Sequence, residues 1–388
     1  MRGRSLTSIR QQEGELSTNK AVWAVIDLAA IRHNLRQIRE KIGPSVKIIA
    51  VVKADGYGHG MLKVSQALLR EKVNALAVAD LEEGIKLREG GINTPVLVLG
   101  PFTKGQVKAF LHYHLTPTVV EEGMAQELSR MAKNLQRQIG VHINIDTGMG
   151  RLGISYERAV SFIEKIRSLE GIRIEGVYTH FSSAEEKDKT FSLLQIERFR
   201  RALESLEKRG INPPLRHASN SAAVLDLAES YFNAVRPGLA IYGYYPSPFV
   251  SRSLTLRPSM SLRCKITFIK RVPSGTSIGY GRSYVTCRAT SIAILPIGYA
   301  NGYPYSLSNR AEVLVRGRRA PVRGRICMDQ TLIDVGHIRE AKVGDEVVLW
   351  GTQGRESISV EEVSLKANTI PYELLTNVGK GVRRVYKE

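Results

Sequence analysis

Cysteine is scarce in this chain: three in 388 residues, at positions 264, 287 and 327, odd in number and far apart. No CxxC pair and no even framework arises, so a disulfide scaffold, a zinc module and a dithiol redox centre are all without support. Free thiols fit a reducing compartment, read here as the cytoplasm. Long apolar runs are missing as well. The longest, such as "SIAILPIG", fall far short of a membrane span. The first twenty residues, "MRGRSLTSIRQQEGELSTNK", are basic but carry no apolar h-region. They read as an N-terminal extension (1–20) rather than a secretory signal. Metal-ligand spacing is lacking too. His112 and His114 alternate in "FLHYHL" without a carboxylate cluster or an HExxH helix, so no metal site is expected.

Composition otherwise is that of a folded protein, 43% hydrophobic and 24% charged, well away from the disordered class. The net charge of +19 raises the question of nucleic acid. Yet Lys and Arg interleave with Glu, as in "EKIRSLEGIRIEG" and "RFRRALESLEKRG". That pattern belongs to solvated helix faces. The densest cluster, "RGRRAPVRGR" from Arg316 to Arg325, lies among turn residues and comes with no recognition motif. A nucleic-acid partner is therefore not expected.

From about Val46 to Arg236 one rhythm repeats: a short apolar run, then an amphipathic charged stretch. The runs are "VKIIAVV", "ALAV", "PVLVLG", "TPTVV", "VHINID", "IRIEGVYTH", "LRHAS" and "FNAVRPG". Alternating strand and helix implies a parallel sheet. Eight repeats in about 200 residues fit an α/β fold of the (β/α)8 TIM-barrel type better than a doubly wound open sheet. After Pro258 the rhythm gives way to strand-like runs punctuated by Gly and Pro, such as "SLRCKITFIKRVPSG" and "DEVVLWGTQG", which read as a mostly β domain. The expected domains are thus a barrel over 21–257 and a β-rich C-terminal domain over 258–388.

In a barrel, reactive groups gather at the C-terminal ends of the strands. Lys53 follows the first run, Asp146 and "TGMGRLG" the fifth, His180 the sixth, "HASNS" the seventh and Arg236 the eighth. A lysine after a strand is ordinarily a solvated surface residue. In "VVKADGYGHG", Gly56, Gly58 and Gly60 change that, because they permit tight turns and close ligand approach. A half-buried lysine loses basicity and can form a Schiff base, the role lysine takes with pyridoxal phosphate. "GMGRLG" satisfies the GxGxxG pattern, but in the fifth unit and with "DTG" before it, so a dinucleotide site is discounted. His180 reads equally as a core histidine or as a group packed on a planar ligand. Asn220 and Ser221 open a helical stretch, as an N-cap, as a phosphate cradle, or as both. Arg236 before "PG" reads as a surface turn or as a group facing a ligand. "GYGRSY" and "GRICMDQ" read as turn-flanked strands.

Taken together, "AVVKADGYGHG", "DTGMGRLG", "THFSSAEE", "HASNSAA", "VRPGLAIYG", "GYGRSY", "LPIGYANGY", "GRICMDQ" and "IPYE" resemble, in order and over nearly the whole chain, the motifs of alanine racemase. That family consists of fold-type III enzymes dependent on pyridoxal 5'-phosphate. The resemblance implies interconversion of L- and D-alanine by two bases: Lys53, which also binds the cofactor, and Tyr280, supplied by the partner of a homodimer with shared active sites. It implies Arg236 at the pyridine nitrogen and His180 at the ring. Tyr57, Asn220, Ser221, Gly238, Leu239 and Tyr372 would surround the phosphate. Arg151 would reach the phenolate and the substrate carboxylate, which the backbone of Met328 also holds. Tyr299 and Arg325 would line the access channel. The implied product is D-alanine for peptidoglycan, made from a small amino-acid substrate away from any membrane. Many family members have a carbamylated lysine where this chain has Asn144; a chloride beside Asn144 and Arg151 is expected in its place. Four rivals stand at this point: a racemase of another amino acid, a decarboxylase of the same fold, a non-catalytic pyridoxal-phosphate-binding barrel, and the nucleic-acid-binding reading, which a steep salt dependence of DNA binding would single out.

Overall fold

The computed structural model describes residues 21–388. The twenty residues of the expected extension lie outside it. The described chain divides into two compact units, Leu28–Ser259 and a second formed by the residues up to Asp27 together with Met260–Glu388.

The first unit is a closed (β/α)8 barrel. Its strands are Lys47–Val51, Ala75–Val78, Val96–Val98, Thr116–Val119, Ile139–Asp146, Ile172–Tyr178, Leu215–His217 and Ala234–Val235. Each pairs in parallel with the next. The eighth returns to the first through Ala234 opposite Lys47 and Val235 opposite Ile48, which closes the cylinder. These are the eight runs expected from sequence. Parallel strands are covered on both faces and so need continuous apolar sequence. Ile48–Val51, Ala75–Val78 and Val96–Val98 are buried throughout. The outer helices show the complementary spacing. Leu28–Ile42 buries Leu28, Ile31, Leu35, Ile38 and Ile42, one stripe at the helical period.

The second unit is mostly β. One sheet runs, in spatial order, Arg318–Pro321, Glu312–Val315, Glu346–Gln353, Met260–Lys265, Val22–Asp27 and Arg383–Lys387. A second sheet joins Phe268–Val272, Thr290–Leu295 and Thr331–Asp334. Trp350, Leu262 and Val348 fill the core of the first sheet with no exposure. Here the structure differs from the expected division at residue 21. Val22–Asp27 is hydrogen-bonded between Met260–Lys265 and Arg383–Lys387 rather than in the barrel. Its own pattern gives the reason: only Ala24 and Ile26 are buried, the alternation of a half-covered strand. Among the described residues no helix is long and apolar enough to cross a membrane, and no cluster of three metal-ligating side chains occurs.

Candidate active site

The chain reverses as soon as the first barrel strand ends. Val52 donates to Ala77 O at 2.9 Å, and Lys53 begins a single turn, Lys53–Tyr57. Ala54, Asp55, Gly56 and Tyr57 all take left-handed φ values, 53°, 52°, 63° and 53°. Three of them carry a Cβ, at a cost of about 1–2 kcal/mol each. Strain of this kind persists only where surrounding bonds enforce it. Here the enforcing bonds are Gly56 N–H to Val52 O (2.8 Å), Gly58 N–H to Ala54 O (2.9 Å), Gly60 N–H to Asp55 O (2.9 Å) and Met61 N–H to the Asp55 carboxylate (3.0 Å).

This turn leaves Lys53 half-buried. Its ammonium is weakened first by burial and second by the Arg151 cation, with Glu83 opposing. His180, at the end of the sixth strand, is pushed down to about 3 by burial and then by Arg236, Arg151 and Lys53. It is therefore a neutral imidazole at neutral pH. Desolvation beside like charges is the arrangement that turns a lysine into a base or nucleophile.

Arg236 is 3% exposed and is gripped from several sides. Nη1 donates to His217 Nδ1 (2.6 Å) and His217 O (3.0 Å). Nη2 donates to Thr179 O (2.6 Å) and Ala218 O (3.0 Å), with His180 Nδ1 at 3.2 Å. The guanidinium lies 4.9 Å from the centre of the Tyr178 ring. No acceptor among the described residues takes its Nε–H. Burial lowers Arg236 to about 10, so it remains a cation at neutral pH. Because arginine only donates, His217 Nδ1 must accept. His217 Nε2 then carries the proton directed at His142 Nδ1, 2.9 Å away. Both histidines are held neutral by burial, His142 at about 3.

Between the seventh and eighth strands lies a cradle of small groups. Asn220 caps the helix Ser221–Asp226 by accepting from Ala223 N–H (3.0 Å). The Ser221 hydroxyl is buried and accepts from Gly238 N–H (2.9 Å) and Ala240 N–H (3.1 Å). No acceptor among the described residues takes its own O–H. Gly238 leaves room for Tyr57: a Cβ there would lie 2.3 Å from the Tyr57 hydroxyl and displace that side chain. Leu239 opens the buried turn that follows.

The loop carrying Arg151 is closed on itself. The Asp146 carboxylate accepts from Gly148 (2.9 Å), Met149 (2.9 Å) and Gly150 (3.1 Å). The glycines of "GMGRLG" thus wrap a carboxylate of their own chain, which takes the N–H groups a dinucleotide phosphate would need. Asn144 donates to Leu152 O at 3.0 Å. One N–H of that amide thus fastens the Arg151 loop, and the expected chloride finds no support.

The remaining expected residues belong to the β-rich unit. Tyr280 is 71% exposed on the turn Tyr280–Arg282. A Cβ on Gly281 would meet the Arg325 guanidinium at 2.9 Å, so Arg325 packs beside the Tyr280 turn. Met328 is 60% exposed and Tyr299 46%. Their loops pair through Tyr299 N–H to Cys327 O (3.1 Å) and Ala300 N–H to Met328 O (2.9 Å). No acceptor among the described residues takes the Met328 N–H. Tyr372 lies on the short helix Pro371–Thr376 and is half-buried. Sequence reading gave no role to His217, His142, Tyr178 or Glu83. "HASNS" was noted for its serine and asparagine, and an imidazole that faces inward leaves no mark of its own in the sequence.

Residues 26–246 match the family described as alanine racemase, N-terminal domain, and residues 259–386 the one described as alanine racemase, C-terminal domain. An alanine racemase from Halothermothrix orenii is 46% identical over 368 residues, covering 95% of this chain and 97% of the relative. The structure of alanine racemase from Clostridium difficile 630 superposes with a TM-score of 0.91 at 39% identity, over 95% of this chain and 96% of that one. Alanine racemase from Bartonella henselae with covalently bound pyridoxal phosphate gives 0.85 at 27% identity, over 95% of this chain and 100% of that one.

Proposed function

The chain belongs to the alanine racemase family, enzymes that interconvert L- and D-alanine, and from that premise we propose that Lys53 and Tyr280 of the partner subunit are its two bases. The family depends on pyridoxal phosphate, and the barrel residues fit that group. Lys53 has a weakened ammonium, the Ser221 O–H and the Asn220-capped helix start offer donors to an anion, and Arg236 keeps its Nε–H available. By the family resemblance, Tyr57, Gly238, Leu239 and Tyr372 would contribute to the phosphate shell and His180 would lie at the ring. When bound, the cofactor supplies an electron sink for the charge left on the substrate α-carbon.

Everything else falls to the protein's own side chains. Racemisation removes the α-proton from one face and delivers a proton to the other, which one fixed base reaches poorly. Two bases on opposite sides solve this by position. Lys53 takes or gives the proton on its face, and Tyr280 of the partner subunit does so on the other. Arg151 and the Met328 N–H orient the carboxylate, and Tyr299 with Arg325 line the access channel. Arg236 stays protonated, so it presents a donor to the ring nitrogen and opposes its protonation. A moderated sink of this kind favours racemisation over transamination. Support for a shared site comes from the exposure of Tyr280 and Met328 in their own chain. The three unpaired cysteines suit the cytoplasm, with D-alanine going to peptidoglycan.

The observation that carries this reading is the half-buried Lys53 amine, within electrostatic reach of Arg151 and of neutral His180. A chiral assay with L-alanine and pyridoxal phosphate tests it. D-alanine should form with the intact protein and not with Lys53→Ala. Loaded protein that makes no D-alanine would shift the substrate to another amino acid.

A further inference from the structure

Glu83 is the third residue of the helix Leu81–Glu89, whose N-cap is Asp80. "DLEE" is the sequence of a capping box, in which the third-position glutamate returns to the N-cap's own N–H. Asp80 performs its half, accepting from Glu83 N–H at 2.9 Å. The Glu83 carboxylate does not reciprocate. Its Oε2 accepts from Ala79 N–H at 2.9 Å, and its Oε1 crosses to the preceding βα loop and accepts from Asp55 N–H at 3.2 Å. Asp55 sits in the middle of the left-handed turn, between Ala54 and Gly56, and its own carboxylate takes Met61 N–H.

We propose that Glu83 is a positioning residue for Lys53, tying the strained turn to the end of the second barrel strand and giving the Lys53 amine a nearby anion. The inference rests on the reading of Lys53 as the cofactor lysine. The groups facing Lys53 come from several elements: Arg151 from the loop after the fifth strand, His180 from the sixth, and Glu83 from the helix after the second. Asp55 and Tyr57 flank it on its own turn, and Tyr242 packs against Tyr57 with ring centres 4.8 Å apart and planes tilted by 34°. Arg151 weakens the ammonium and His180 is neutral. Glu83 is the acidic group acting on Lys53 against that trend. Its carboxylate therefore has two separable effects: geometric, through two backbone N–H groups, and electrostatic, through its charge.

Glu83→Gln separates these effects from a general structural role. The glutamine keeps the size but offers one acceptor oxygen for two N–H groups and no charge. Protein stripped with hydroxylamine is reloaded with pyridoxal phosphate, and loading is followed by absorbance across pH. The variant should load about tenfold more slowly, as expected for a misplaced amine. Its pH midpoint should move lower, because removing an anion weakens the ammonium. Glu82→Gln, one residue earlier and exposed, is the control and should change neither. An unchanged rate and midpoint in Glu83→Gln would overturn the inference. Amide hydrogen exchange on the wild-type protein decides the matter independently of loading and of how the variant folds. The Asp55 and Ala79 amides should be protected at neutral pH. Exchange at open-loop rates at neutral pH would sink the role of Glu83 even with Lys53 loading normally. Failure of the wild-type protein to load at Lys53, with both amides protected, would instead count against the cofactor reading.

Discussion

The two units carry their reactive groups in opposite ways. In the barrel, Arg236 is 3% exposed and bonded to three carbonyls and two imidazoles. Lys53 rides on a turn locked in left-handed geometry, and His142 and His217 are sealed as neutral rings. In the β-rich unit, Tyr280, Met328 and Tyr299 are 71%, 60% and 46% exposed. A side chain fixed by its own fold can be preorganised for chemistry at the cost of local strain. An exposed tyrosine has no such constraint and acquires its position only from a surface it meets. On the proposed reading, the contrast separates the half of the chemistry that each chain would build alone from the half that would need a second copy.

The strongest way to press this difference is Tyr280→Phe. Losing one of two bases should cost about 10²–10⁴-fold in turnover. Because the residue is exposed, the unfolding free energy should stay within about 0.5 kcal/mol, as read by urea titration. A large fall in stability would mean the tyrosine is structural. Arg236→Glu is the barrel counterpart and should behave oppositely. It removes the partner of three carbonyls and buries a carboxylate among them, a loss of about 3–5 kcal/mol. Where it still folds and loads, the ratio of transamination to racemisation should rise. An unchanged ratio removes the argument that Arg236 moderates the sink.

The barrel should also carry a pH signature. His142 and His180 are depressed from 6.5 to about 3 in the fold. Between those values the unfolded chain binds protons that the folded chain refuses, so stability is full above 6.5 and falls as pH drops toward 3. Each histidine contributes a slope of about 1.4 kcal/mol per pH unit within that window. Denaturant midpoints measured from pH 7 to 4 should show it, and replacing His142 by phenylalanine should remove that histidine's share of the slope. The smallest expected effect is at Ala54. Ala54→Gly relieves one left-handed Cβ and should stabilise the fold by about 1 kcal/mol. No gain in the urea midpoint would show that the turn is not strained there.

Much of this could be read from the residues alone. Parallel strands declare themselves as unbroken apolar runs, so all eight barrel strands and the groups at their ends were legible. Val22–Asp27 was not assigned to its sheet, because a strand's partners lie elsewhere in the chain; here they begin at Met260 and Arg383. Glu83 was hidden for a related reason. "DLEE" states a local capping preference, while the bond to Asp55 depends on how two neighbouring loops meet. His217 and His142 look like ordinary strand residues until closure turns them inward beneath Arg236. The Asn144 bond to Leu152 O is equally hidden in the sequence, because it arises only when the "GMGRLG" loop folds back over Asp146.

The central claim is that a complete site needs Lys53 from one chain and Tyr280 of the partner subunit. Lys53→Ala and Tyr280→Phe proteins, each inactive alone, are mixed under conditions that exchange subunits, and racemisation is measured. In a hybrid dimer one of the two sites regains both wild-type residues, so an equal mixture should recover roughly a quarter of wild-type activity. No recovery, with hybrid dimers demonstrated, would contradict the account and put both bases in a single chain.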